Sequence, residues 1–183
     1  MKTVDALDLL TRKAQELCPG WAMDKDNEQV ITSAAAWLAR EPRQGLDLNK
    51  GLLIIGNVGT GKSLLYRIIR AAMRDAYGAQ FGIRSCQDLV RDFSEQGYQG
   101  IEDWMNGPHV CFDDLGAEQA GAHYAVKTNL MAEVIEARYE RLSSRQKCWT
   151  HLSTNLGTDA IETRYGSRAY SRIRHMYYLP AYS

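Results

Sequence analysis

Eight consecutive residues constrain this chain more than any other feature. Gly56-Asn57-Val58-Gly59-Thr60-Gly61-Lys62-Ser63 fits the pattern Gly-x-x-x-x-Gly-Lys-Ser/Thr. It follows a short apolar run, Leu52 to Ile55, and opens a stretch from Gly61 to Ala76 with helical apolar spacing. A strand that turns tightly through glycines into a helix aims successive backbone N–H groups at one anion, and the helix N-terminus adds its partial positive charge. In that geometry Gly56, Asn57, Val58, Gly59, Thr60, Gly61, Lys62, Ser63 and Leu64 cradle nucleotide phosphates. Lys62 reaches the β- and γ-phosphates, and the Ser63 hydroxyl is a ligand for Mg²⁺. A plain glycine-rich turn with an exposed lysine would satisfy only part of this pattern.

A second element complements the first. Val110-Cys111-Phe112 reads as a strand that ends in Asp113-Asp114, and adjacent unpaired charges belong at a strand's C-terminal end rather than inside it. There Asp113 would hold Mg²⁺ through its water shell, and Asp114 would orient and deprotonate an attacking water. Leu152-Ser153-Thr154-Asn155 ends a further strand with polar groups; Asn155 can hold that water or sense the γ-phosphate, and it is equally an ordinary turn former. Arg168 and Arg172 stand one helical turn apart, able to reach a neighbouring subunit's nucleotide or simply to face solvent.

Between these motifs apolar strands alternate with helical segments: strands over 52–55, 81–85, 110–112, 148–153 and 176–179, helices over 61–76, 87–94, about 124–142 and 159–176. That alternation predicts an α/β fold with a mainly parallel sheet covered on both faces. Residues 1–45 read as two polar helices broken at Pro19-Gly20, a helical arm ahead of one domain over 46–183. Four scattered cysteines, at 18, 86, 111 and 148, suit a reducing compartment and no zinc motif. No apolar run nears the roughly 20 residues of a membrane span, and the start lacks a secretory signal, so a cytoplasmic protein without membrane partners is expected. Lys plus Arg and Asp plus Glu are 22 each, so any hold on nucleic acid must be local or assembled.

Taken together, these residues resemble the AAA+ ATPases of the DnaC/IstB-like family, bacterial helicase loaders and transposase helper ATPases. The likeness spans about Leu46 to Pro180. Besides the glycine-rich loop it rests on Phe81-Gly82-Ile83-Arg84 with Asp88-Leu89-Val90, Phe112-Asp113-Asp114-Leu115-Gly116-Ala117-Glu118, Arg138-Tyr139-Glu140, Ser153-Thr154-Asn155-Leu156, and Tyr165-Gly166-Ser167-Arg168 with Ser171-Arg172-Ile173. The resemblance implies a three-layer α/β/α P-loop core of the AAA+ (ASCE) type, a parallel five-stranded sheet of order 5-1-4-3-2, and no C-terminal lid domain. It makes Asp113 and Asp114 the Walker B pair, Asn155 the sensor-1 residue, and Arg168 or Arg172 an arginine finger acting in trans. It also implies self-association into a ring or spiral with ATP at the interfaces, and a replicative helicase or transposase as partner.

The same loop also fits other functions. A small-molecule or nucleotide kinase would use the same loop, and a binding switch would hold ATP with little turnover. A GTPase fits less well, since Asn49-Lys50-Gly51-Leu52 lacks the Asp of the guanine-reading motif. Single-stranded DNA could run along Arg84, Arg91, Phe93 and Tyr98, residues that also suit an ordinary amphipathic helix. His109, His151 and the four tryptophans read as packing residues.

Overall fold

The computed structural model describes the chain except residues 43–45, 120, 124–125, 145, 147 and 179–183. Two helices come first, α1 (Thr3–Leu17) and α2 (Glu28–Ala39), followed by β1 (Gly51–Ile55), α3 (Lys62–Tyr77), β2 (Gly82–Ser85) and α4 (Cys86–Gln96). A 3₁₀ turn (Gly97–Ile101) leads into α5 (Glu102–Asn106) and β3 (His109–Leu115). Then come a small antiparallel pair, β4 (Gly121–His123) and β5 (Val126–Thr128), α6 (Leu130–Ser143), β6 (Trp149–Thr154), α7 (Thr158–Met176) and β7 (Tyr177–Tyr178).

The main sheet is parallel. β2 pairs with β3, β3 with β6 and β6 with β1. Of the fifth strand expected over 176–179, Met176 instead ends α7, Tyr177 and Tyr178 pair with Gly51 and Leu52 as β7, and Leu179 lies outside the described residues.

Successive residues of a strand face opposite sides, and the two apolar clusters follow that rule. Leu52, Ile54 and Cys111 join a cluster with α1, α2 and α3, whereas Leu53, Val110 and Phe112 join one with α4, α6 and α7. Helices therefore cover both faces. Ala6, Leu10 and Ala14 of α1 and the alanine-rich face of α2 lie in the same cluster as β1 and α3. Along α1, Val4 is exposed and Leu9 is buried.

One expected helix differs. A start near Tyr124 is replaced by β4 and β5, and α6 begins only at Leu130, where the Asn129 side chain accepts the Ala132 N–H. Tyr124 and Ala125 themselves lie outside the described residues. Alanine-rich sequence here favours helix locally, but cross-strand pairing prevails up to the Asn cap.

Candidate nucleotide site

The glycine-rich turn leaves β1 at its C-terminal end. Gly59 and Gly61 both take left-handed backbone conformations (φ 86° and 89°), which a residue with a Cβ enters only at a cost, and Gly61 caps α3. Gly56 N–H donates to Thr154 O of β6, fixing the start of the turn against the neighbouring strand. The Thr60 hydroxyl closes the turn onto Asn57 O at 3.0 Å. Val58 stands at the lip, 84% exposed.

Lys62 folds back over this turn. Its ammonium donates to Gly56 O and Asn57 O at 2.8 Å each and to Asn155 Oδ1 at 2.6 Å. Burial holds its pKa below the usual lysine value, with Asp114 and Asp113 opposing that shift. A compact cation among oxygen acceptors at the end of parallel strands is ready to exchange them for anionic oxygens.

The two carboxylates owe their placement to a break in register. Phe112 pairs with Leu152, but Leu115 pairs with Thr154, so three steps along β3 match two along β6. Asp113 and Asp114 together face Ser153, a bulge with one extra residue, and Asp114 takes a left-handed conformation (φ 57°). In a regular strand two adjacent side chains would point to opposite faces; here both act on the same lysine. The Ser153 hydroxyl repairs the ladder: it accepts the Asp114 N–H at 2.9 Å and donates to Asp113 Oδ1. Burial, and then the neighbouring Asp113 charge, push the Asp114 carboxyl above its ordinary pKa, against the pull of Lys62.

A cavity of about 330 Å³ is lined by Val58, Gly59, Gly61, Lys62, Ser63, Leu64, Asp114 and Asn155. Beside it lies a second, of about 300 Å³, walled on one side by Gly59, Thr60, Gly61 and Leu64 and on the other by Trp21, Asp24 and Asn27 from the α1–α2 connection. The structure thus gathers Lys62, Ser63, Asp114 and Asn155 around one space, with Asp113 directly behind. Arg168 and Arg172 are elsewhere. Arg168 Nε lies 3.0 Å from Glu136 Oε2, and the Arg172 guanidinium stacks over the Tyr139 ring at 4.2 Å, both against α6 of the same chain.

Two residues quoted as sequence matches acquire contacts that the pattern did not assign. Arg138 is wholly buried and donates to Thr150 Oγ1 and to the carbonyls of Trp104, Met105, Gly107 and Trp149. Glu118 is 5% exposed and joins the turn after Asp114 to α7. The residues considered for single-stranded DNA are largely engaged: Arg84 pairs with Asp92, Arg91 with Asp88, Phe93 is buried, and Tyr98 bonds Glu133. Among the described residues no helix is long and apolar enough to cross a membrane.

No protein-family model matches this chain, and no curated protein does. Solved structures do match. The DnaC helicase loader superposes with a TM-score of 0.70 at 19% identity, covering 91% of this chain and 96% of that one. The chain has the fold of a DnaC-type helicase loader. DnaI matches with a TM-score of 0.66 at 20% identity over 100% of this chain and 92% of its own. AMPPCP-bound DnaA from Aquifex aeolicus matches with a TM-score of 0.56 at 14% identity over 85% of this chain and 46% of that one. That fold puts the glycine-rich turn, the β3 bulge and the β6 tip at the C-terminal ends of three adjacent parallel strands.

Proposed function

We propose that this protein binds and hydrolyses ATP as a loader-like AAA+ factor that assists DNA replication or transposition, assembling through ATP held between subunits. The observation that carries the reading is the convergence of Lys62, Ser63, Asp114 and Asn155 on one cavity at the C-terminal ends of adjacent parallel strands. The phosphates would lie in that cavity, and the adenine in the adjoining one, where the arm of residues 1–45 supplies Trp21, Asp24 and Asn27. We read the β7 pair as the fifth strand of a sheet of order 5-1-4-3-2.

The donor set suits Mg²⁺. Among the described residues no group of three His, Cys, Asp or Glu side chains stands ready for a metal, so the ion would rest on the Ser63 hydroxyl, the Asp113 carboxylate through water, and the phosphates themselves. When bound it neutralises charge developing on the phosphoryl oxygens. Lys62 would trade its backbone acceptors for the β- and γ-phosphates, Asp114 would take the proton of the attacking water, and Asn155 would hold that water. Arg168 or Arg172 would leave Glu136 or Tyr139 and complete a neighbour's site, in a ring or spiral. AMPPCP in the DnaA neighbour supports an adenine nucleotide, and the loader neighbours support a replicative helicase as partner, with a transposase the alternative that the sequence resemblance implies.

The test is ATP hydrolysis measured against protein concentration, with and without single-stranded DNA. Slow turnover that rises with concentration, and loses that dependence in Arg172→Ala, supports the reading. Transfer of phosphate to a small acceptor by a strict monomer would sink it in favour of a kinase.

A further inference from the structure

The turn that follows the catalytic carboxylates is tied to the helix that carries the arginine pair, and one side chain makes the tie. Glu118 is buried, and its carboxylate is shared between two elements. Oε2 accepts the Gly116 N–H at 2.8 Å, so it closes the turn two residues after Asp114. Oε1 accepts the Tyr165 hydroxyl and lies 3.6 Å from the Arg164 guanidinium, which also donates to the Glu118 carbonyl.

Both ends of this tie are conformationally special. Gly116 has φ 101°, and a Cβ there would meet Leu156 Cδ1 at 2.6 Å, directly after Asn155. The turn therefore has little freedom to move independently of Asp114 or of the β6 tip. At the other end Tyr165 precedes Gly166, whose backbone (φ 84°, ψ 159°) breaks α7 into two pieces. The second piece carries Arg168 and Arg172. Tyr165 is thus the anchored residue directly before a kink, and what holds it sets the direction in which the arginine-bearing piece, packed on the core through Ala169 and Ile173, departs.

From this geometry we infer that Glu118 is a positioning residue for catalysis between subunits: through Tyr165 and Arg164 it couples the turn behind Asp114 in one subunit to the placement of Arg168 and Arg172 at the next subunit's nucleotide. The inference rests on the reading proposed above, with ATP between subunits. It adds a direction. A shift of the Asp114 turn in one site is passed along Glu118 to Tyr165 at the α7 kink and so to the neighbouring site, which makes hydrolysis events around an assembly dependent on one another.

A mixing experiment separates this role from a structural one. Glu118→Gln and Tyr165→Phe keep shape and remove the charge or the hydroxyl. Each is expected to lower ATPase activity by about 100-fold, the usual scale for a misplaced catalytic group, while binding a fluorescent ATP analogue as the wild type does. Each is then mixed with Asp114→Asn, which has a dead site but an intact arginine pair. In random assemblies with head-to-tail interfaces, roughly a quarter of wild-type activity should return, because Asp114→Asn subunits serve their neighbours' intact sites. Arg172→Ala and Arg168→Ala, each mixed with Asp114→Asn, provide the reference. Recovery in either reference pair but in neither Glu118→Gln nor Tyr165→Phe overturns the Glu118 inference alone. No recovery in any pair, including both references, overturns the between-subunit reading and this inference with it. Loss of nucleotide binding in both Glu118→Gln and Tyr165→Phe would show a role within their own site, and likewise overturns it.

Discussion

Strands β3 and β6 do opposite things at their two ends. At the N-terminal end His109 and His151 face each other with Nε2 atoms 2.7 Å apart, enclosed by Trp37, Phe81 and Trp149. His151 Nδ1 accepts the Leu52 N–H at 3.0 Å, so the neutral ring must carry its proton on Nε2 and donate it to His109. Arg138 ties the same end together through five acceptors. At the C-terminal end Lys62, Asp114 and Asn155 line an open cavity, and burial strains the charges of Lys62 and Asp114. Polar groups at the first end are satisfied by one another and serve stability. Those at the second retain bonds that a ligand could take over, as the proposed nucleotide would.

Substitutions should therefore separate activity from stability by strand end. The largest effect is expected at the open end: Lys62→Ala or Asp114→Asn should reduce ATPase turnover by about 10³-fold, with the thermal midpoint unchanged or raised. A large fall in that midpoint would break the division. At the closed end Arg138→Met should cost about 3 kcal/mol or more, because several buried acceptors lose their donor at once. Urea denaturation measures it, and the folded fraction should bind nucleotide normally.

The histidine pair gives the next effect. Burial and the nearby Arg138 lower His109 from 6.5 to about 4, and burial, with the His109 and Arg138 charges, holds His151 well below its usual value. The unfolded chain takes up protons as pH falls through 6.5, whereas the folded chain resists until much lower. Stability is then fully present above pH 6.5 and declines toward pH 4, by on the order of 3 kcal/mol for His109 alone. The fall in stability across that range should shrink, but not vanish, in His109→Gln, because burial still holds His151 low. The smallest effect returns to the open end. Because burial and Asp113 raise the Asp114 carboxyl, its titration followed by NMR should lie above the ordinary carboxylate value, and Asp113→Asn should move it down. No movement would show that burial alone sets it.

The open end was largely legible as a place in the fold because its residues are local: eight contiguous residues shape the glycine-rich turn, and Asp113-Asp114 and Asn155 each end an apolar run. The closed end was not. His109 and His151 are 42 positions apart, and only the β3–β6 register makes them partners. Arg138 could be quoted as a match, but a buried arginine among carbonyls has no signature that distinguishes it from a surface arginine on a helix. The β4–β5 pair was hidden for a related reason: its pairing depends on contacts across a turn, while its alanines favour helix locally. Arg168 and Arg172 were found as residues, yet their contacts with Glu136 and Tyr139 depend on how α7 lies on α6.

The bulge in β3 also bears on how this protein could be engineered. Removing Asp114 would bring Asp113 opposite Ser153 and Leu115 opposite Thr154 in continuous register, so the shortened chain could form a longer, more regular ladder. Selection for heat resistance or expression alone would then favour that deletion, and, with Asp114 as the proposed catalytic base, the molecules it enriched would be the inactive ones.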